Sequence, residues 1–144
     1  MRAQRLYTTE EGYSEPLESA ELYDGDFLQS LGHGDGSVDW SGEQGRIEWT
    51  NFPPRRPDGV YLPDLTGSIQ LDSQERPVLY RMHGISLLPD EEGRRLFAGP
   101  VRWYTDEPDF LWLNDRWGFL EGQIDTETGR FRTQVYVLHP DPPD

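Results

Sequence analysis

Apolar and polar residues alternate along several short runs of this chain, and turn-forming residues separate those runs. Residues 45–52 alternate up to Pro53 and Pro54, and comparable β-type runs lie at 60–65, 67–72, 78–83 and 130–138. A period of two is typical of strands that bury one face. Turns rich in Gly, Pro and Asp separate the runs at 55–59, 73–76, 89–93 and 125–129. The pattern predicts seven to nine short strands and no long helix.

The most aromatic stretch of the chain is 97–121, which contains Trp103, Trp112 and Trp117. Two runs rich in aromatic and apolar residues flank a predicted turn at 106–109, so we expect a hairpin whose large side chains need apolar surroundings. The glycine-rich segment 32–36 predicts a mobile turn or loop. Residues 16–22 are consistent either with one short helix or with a lead into the first strand.

A length of 144 residues suits one domain. Only 34% of the residues are apolar, but 12% are aromatic, and large rings can build a core from few positions. We therefore predict a single all-β domain, either a barrel or a sandwich, and favour a single antiparallel barrel of about eight strands. Residues 1–24 are expected to be an N-terminal extension and residues 139–144 a C-terminal tail.

The charge of the chain argues against several classes of partner. The net charge is −14, all 13 basic residues are Arg, and there is no Lys. Such a surface disfavours nucleic acid and anionic membranes, because both require cationic contacts. Solubility is the simpler explanation of the acidic surplus, and a cationic partner is the alternative. Without an apolar leader or a membrane-length run, we expect a cytoplasmic protein.

The absence of two residue types limits the chemistry further. A chain without Cys has no disulfide, thiolate nucleophile or Cys-bound zinc. A chain without Lys has no side-chain Schiff base. His33, His83 and His139 show no ligand spacing, so we expect no metal site.

Several motifs occur in an order that resembles a family of uncharacterised small β-barrel proteins of bacteria and fungi. These motifs are Arg56-Pro57-Asp58-Gly59, Asp64, the strand 78–84, Phe97, the segment 102–105 and Trp112-Leu113-Asn114, and together they cover residues 45–138. The resemblance implies a calycin-like antiparallel barrel similar to allene oxide cyclase and dirigent proteins, with a central cavity and no cofactor. Thr66-Gly67, Ala98-Gly99 and Tyr104 depart from the family pattern and imply a more aromatic cavity.

Three residues are candidates for catalysis. Asp64 lies among apolar residues, where desolvation would raise its pKa and suit acid–base work; an ordinary turn Asp is the alternative. His83 could move protons near neutral pH, or could simply end a strand at the surface. Tyr104 could donate a hydrogen bond to a carbonyl, or could be a core residue.

The candidate substrate-binding residues are mostly aromatic. Trp49, Trp103 and Trp112 could line an aromatic pocket, although core packing is the alternative for at least one of them. Asn114 could orient a ligand oxygen or could tie backbone groups together. Arg81 shares a strand face with His83 and completes the set. The strand pattern alone leaves open which face lines the lumen.

Together these features suggest a cofactor-independent enzyme that cyclises, isomerises or dehydrates a small hydrophobic metabolite, plausibly in secondary metabolism. A barrel of about eight strands can enclose one small ligand and hold it in a reactive shape. A non-catalytic carrier of a hydrophobic ligand is the alternative, and a structural barrel filled by its own side chains is a third reading. Monomer and homodimer are both open.

Overall fold

The computed structural model describes residues 1–141 as eleven β-strands and one 3₁₀-helix. The elements are β1 (Arg2–Tyr13), β2 (Glu18–Leu22), β3 (Phe27–Trp40), β4 (Glu43–Asn51), β5 (Pro54–Arg55), β6 (Asp64–Leu71), β7 (Val78–His83), β8 (Ile85–Ser86), β9 (Arg94–Tyr104), the 3₁₀-helix η1 (Pro108–Asp115), β10 (Trp117–Asp125) and β11 (Arg130–His139).

Eight of these strands close into an antiparallel barrel. Around the barrel they run β1, β11, β10, β9, β7, β6, β4 and β3, and β3 pairs with β1 to complete the ring. The short strands β2 and β5 pair with β3, and β8 pairs with β9. The predicted all-β barrel of about eight strands is confirmed.

Inward-facing glycines make room for large rings inside the barrel. A Cβ atom on Gly34 would overlap the Trp49 ring, and one on Gly118 would overlap the Trp103 ring. The prediction of a mobile loop at 32–36 is therefore wrong, because this segment is the middle of β3. Its glycines serve as the small partners of bulky side chains on neighbouring strands, as close packing requires.

The 3₁₀-helix closes one end of the barrel. Leu113 is fully buried there, and Phe110 packs on Trp40 with ring centroids 4.8 Å apart. The hairpin predicted over 97–121 is therefore only partly right. Its strands end at Tyr104 and resume at Trp117, because the chain turns into a helix that begins at Pro108, a residue favoured in the first helical turn.

Most of the first 24 residues belong to two strands of the sheet, β1 and β2, so the predicted N-terminal extension is wrong. β1 pairs with both β11 and β3, and β2 pairs with β3, which also decides between helix and strand for 18–22. The alternation in β1 was hard to recognise because two inward positions are polar, Thr9 and Glu11. At the other terminus, His139 ends β11. Residues 142–144 of the predicted tail lie outside the described residues.

Candidate functional site

The barrel end opposite η1 opens into a cavity of about 700 Å³, which we call the mouth cavity. Inward-facing residues of six barrel strands form its floor and walls, and loop residues form its rim. That volume is within the range of small-molecule sites. The floor and walls include Tyr13, Trp49, Asn51, Leu65, Phe97, Ile124 and Phe131.

Aromatic rings form most of the cavity floor. The Tyr13 and Trp49 rings meet edge to face at 4.8 Å between centroids, and the Trp49 and Phe131 centroids lie 5.4 Å apart. Phe97 packs against Phe131 at 5.6 Å. A floor of contacting rings offers a ligand a rigid apolar surface.

A fixed hydrogen-bond donor lies at one side of this floor. The Asn51 Oδ1 atom accepts from the backbone N–H of Asp64 at 3.0 Å, so the Asn51 Nδ2 atom points to the Tyr13 hydroxyl and donates to it at 2.9 Å. The Tyr13 oxygen is thus an acceptor within the protein and retains its own proton. Burial raises the pKa of Tyr13, so that proton stays available as a donor to a ligand oxygen.

The other side of the cavity carries a cation. Arg95 lies on the inward face of β9, two residues before Phe97. Its guanidinium donates to the carbonyl of Leu87 at 3.1 Å and to that of Gly59 at 3.3 Å. It also lies over the Tyr61 ring, 5.0 Å from the centroid. Among the described residues that line the cavity, Arg95 is the only cation.

A buried carboxyl group lies in the lumen near the cavity floor. Glu11 is only 3% exposed, and it accepts a hydrogen bond from the Thr9 hydroxyl. The Trp49 indole Nε1 also points toward this carboxyl, but it makes no regular hydrogen bond within residues 1–141. Burial raises the pKa of Glu11 to about 7, against the opposing effects of Thr9 and Trp49. A carboxyl with this pKa can gain or lose a proton at neutral pH.

Further polar side chains surround this carboxyl inside the barrel. Thr9 also contacts the Thr133 hydroxyl at 2.5 Å. Tyr7 accepts a hydrogen bond from the Trp103 indole at 3.1 Å, and Tyr80 is buried nearby. Burial raises the pKa of both tyrosines, and the Glu11 charge adds to the effect. The tyrosines therefore stay protonated, and Glu11 is the group here that titrates near neutrality.

The predicted catalytic residues lie on the outer surface. Asp64 and His83 are cross-strand partners on β6 and β7, and the His83 Nε2 atom lies 3.1 Å from the Asp64 Oδ1 atom. Arg81 shares their outer face, and Tyr104 is 45% exposed at the end of β9. The structure joins Asp64 to His83, but it separates all four residues from the cavity.

The three tryptophans predicted to line an aromatic pocket lie in three different places. Of the three, only Trp49 lines the cavity. Trp103 is buried in the core, and Trp112 lies on η1, 40% exposed and stacked on His139.

Asn114 also lies on η1, and its amide ties the chain to Thr105. It accepts from the Thr105 N–H and donates to the Thr105 carbonyl, each at 2.8 Å. This is the backbone-tying role that was the alternative to ligand binding.

Sequence reasoning missed most of the residues that line the cavity, and it missed the carboxyl next to its floor. Tyr13 and Glu11 lie in the segment predicted as an N-terminal extension, and Arg95 follows a predicted loop. The signal that could have found Asn51 was present, because strand alternation puts it on the face of Ile47 and Trp49. That face is the lumen.

Within residues 1–141, no group of three or more His, Cys, Asp or Glu side chains is placed to hold a metal ion. In the same part of the chain, no helix combines the length and apolar character needed to cross a bilayer.

Comparison with known proteins identifies the fold but no family. No protein-family model matches the sequence, and no curated protein matches it significantly. The structure is similar to a protein of unknown function from Clostridium acetobutylicum, with a TM-score of 0.84, 14% identity and coverage of 96% of this chain and 97% of that one. A β-barrel-like protein from Acinetobacter baumannii has a TM-score of 0.82, with 12% identity and 96% coverage of both chains.

A third similar structure is described as an enzyme, from Penicillium herquei. Its TM-score is 0.67, with 16% identity and coverage of 95% of this chain and 94% of that one. Identities this low establish a shared barrel fold alone. The neighbours agree with the expected group of uncharacterised barrel proteins, while the likeness to allene oxide cyclase and dirigent proteins stays a prediction.

Proposed function

We propose that this protein is a cofactor-free enzyme that binds a small hydrophobic molecule in the mouth cavity and cyclises, isomerises or dehydrates it. The observation that supports the proposal is the position of a ring-lined cavity beside a buried carboxyl whose pKa is about 7. Dehydration, double-bond isomerisation and many cyclisations proceed through proton transfer, and such a carboxyl can act in either direction.

The side chains divide into three roles in this proposal. The rings of Trp49, Phe97 and Phe131 bind the apolar part of the ligand and restrict its shape, which favours ring closure or double-bond movement. The Tyr13 hydroxyl donates to a ligand oxygen and stabilises negative charge that develops there. Glu11 is the proton donor and acceptor, and because Trp49 lies between that carboxyl and the cavity, the transfer requires the Trp49 ring to move aside.

A carrier is the second candidate, because the cavity alone is sufficient for binding. The two functions differ in what Glu11 does. In an enzyme, Glu11→Gln keeps the neutral shape and removes the proton transfer, a loss of roughly 10²–10⁴ in rate. In a carrier, the unmodified protein and Glu11→Gln both bind the molecule, and neither converts it.

An untargeted conversion assay tests the proposal. An organic extract of the producing cells is incubated with the protein without added cofactor, and mass spectrometry follows compounds that bind and compounds that change. We expect a product of unchanged mass, or one that has lost a single water. Glu11→Gln should bind the same compound without converting it, and Ser86→Trp, which fills the cavity from its wall, should not bind it.

The Asp64–His83 pair on the outer surface is the alternative place for the proposed chemistry. Asp64→Asn removes that pair without touching the cavity. Conversion that survives Glu11→Gln but is lost in Asp64→Asn would contradict the proposal and move the chemistry to the outer surface. Binding without conversion by the unmodified protein would leave the carrier.

A further inference from the structure

The cation in the mouth cavity is held in a fixed position. Arg95 makes its hydrogen bonds through Nη1 and Nη2 to the carbonyls of Gly59 and Leu87, which belong to two different loops. Tyr61 supports the guanidinium from one face. A guanidinium has five N–H donors, and no hydrogen bond from the Arg95 Nε is found among residues 1–141. The edge of the guanidinium formed by Nε and Nη2 therefore retains N–H groups that can donate to a ligand.

No carboxylate of the described chain neutralises this cation. Arg95 takes part in none of the ion pairs formed within residues 1–141, although the chain carries 27 acidic residues. Its neighbour Arg94, by contrast, pairs with Asp90 at 3.2 Å and with Glu92 at 2.9 Å. Partial burial and the nearby Arg55 both lower the pKa of Arg95.

Arg55 adds a second positive charge on the same side. It donates to the carbonyl of Gly25 at 3.3 Å, and it too has no carboxylate partner in the described part of the chain. Two arginines thus hold their charges close together beside an apolar cavity in a strongly acidic protein. The cavity rim also carries two carboxylates, Glu15 and Glu127, but within residues 1–141 neither forms an ion pair with Arg95. Backbone carbonyls orient a guanidinium without neutralising it, so the charge of Arg95 remains available to an anionic ligand.

We propose that the mouth cavity takes an apolar molecule that carries a carboxylate, and that Arg95 binds this carboxylate through its Nε–Nη2 edge. Planar, two-point recognition of a carboxylate is the interaction for which Arg is best suited. The inference rests on the proposed function, since it names the class of molecule that the cavity binds. It places the anionic group at the rim and the apolar part over the Trp49 and Phe131 rings.

A matched pair of probes tests the carboxylate directly. The probes are 2-naphthylacetate and its uncharged analogue 2-naphthylacetamide, titrated calorimetrically at pH 7.5 and low salt. A hydrogen-bonded charge pair should make the acid bind roughly 10- to 100-fold more tightly than the amide. In Arg95→Met this preference should disappear, while the affinity for the amide stays within a few-fold.

Two further variants keep the test decisive. Arg94→Gln is the matched control, because it removes an arginine of the same strand whose side chain lies outside the cavity. It should leave both affinities unchanged. Arg95→Lys retains the charge and should restore part of the preference, which a purely structural role of the two carbonyl bonds would not predict.

The outcomes separate this inference from the proposed function. If the unmodified protein binds the acid and the amide equally well, Arg95 does not recognise a carboxylate. The proposal that the apolar cavity binds a hydrophobic molecule would be unaffected. Equal loss of both affinities in Arg95→Met, not restored in Arg95→Lys, would also overturn it. If neither probe binds at millimolar concentration, the result would count against the cavity itself, and the inference would fall with it.

Discussion

Glu11 gives the barrel a pH dependence of stability whose direction is fixed by the sign of its pKa change. In the unfolded chain its carboxyl loses its proton near pH 4.5, whereas burial in the barrel keeps the proton bound up to about pH 7. Between these values the folded state holds more protons than the unfolded state. The contribution of Glu11 to stability must therefore fall as the pH rises through this range, and it levels off above pH 7.

The size of the effect follows from the same two values. Each pH unit between them costs about 1.4 kcal/mol, so the full range from 4.5 to 7 corresponds to roughly 3 kcal/mol. Measurements near the isoelectric point, 4.4, invite precipitation. Over the accessible range from pH 5.5 to 8, the expected loss attributable to Glu11 is about 2 kcal/mol.

The assay compares variants so that all other titrations cancel. Urea unfolding, followed by tryptophan fluorescence, gives the free energy of unfolding of the unmodified protein and of Glu11→Gln at several pH values. Gln has no proton to lose, so the variant should gain about 2 kcal/mol on the unmodified protein between pH 5.5 and 8. Glu10→Gln, an exposed neighbour on the opposite face of β1, should give no such gain.

Parallel pH–stability curves for the unmodified protein and Glu11→Gln would refute this reasoning. They would mean that Glu11 titrates at its ordinary value, and hence that water or a partner solvates it. The acid–base role proposed for Glu11 at neutral pH would then lose its basis.

Three other outcomes follow from the packing. Trp103→Ala should cost roughly 3–5 kcal/mol in urea unfolding because this ring is fully buried, whereas Trp112→Ala, exposed on η1, should cost much less; similar losses would contradict the assigned burial. Gly34→Ala should lower stability by roughly 1–3 kcal/mol, because the new methyl group overlaps the Trp49 ring, and an unchanged midpoint would show that β3 has room there. Asp64→Asn should leave the affinity for 2-naphthylacetamide unchanged, since this carboxylate lies outside the cavity, and a tenfold loss would place it in the site.

The barrel was predictable because most of its strands carry a clear alternation between turns. β7 was predicted at its observed bounds, 78–83, and β11 to within one residue. β1 was missed for a physical reason, since its inward face contains Thr9 and Glu11 where an apolar residue is expected. Strand prediction depends on the alternation of apolar inward residues with polar outward residues, and polar inward residues remove that alternation.

The candidate site was less predictable than the fold. Asp64 and His83 were predicted separately as catalytic candidates and proved to be cross-strand partners, but parity could not say which face of β6 and β7 was the lumen. Long-range pairing decides that question. The pairing of β1 with both β3 and β11 brings Glu11 and Tyr13 together with Trp49 and Phe131, which are distant in sequence.

A crystal structure of the protein with 2-naphthylacetamide is the most direct test of the central claim, that the open end of the barrel binds a small hydrophobic molecule. We predict ring density over Trp49 and Phe131, with the amide oxygen within hydrogen-bond distance of the Tyr13 hydroxyl. Density confined to the outer surface, or a mouth closed by its own rim residues, would contradict the account.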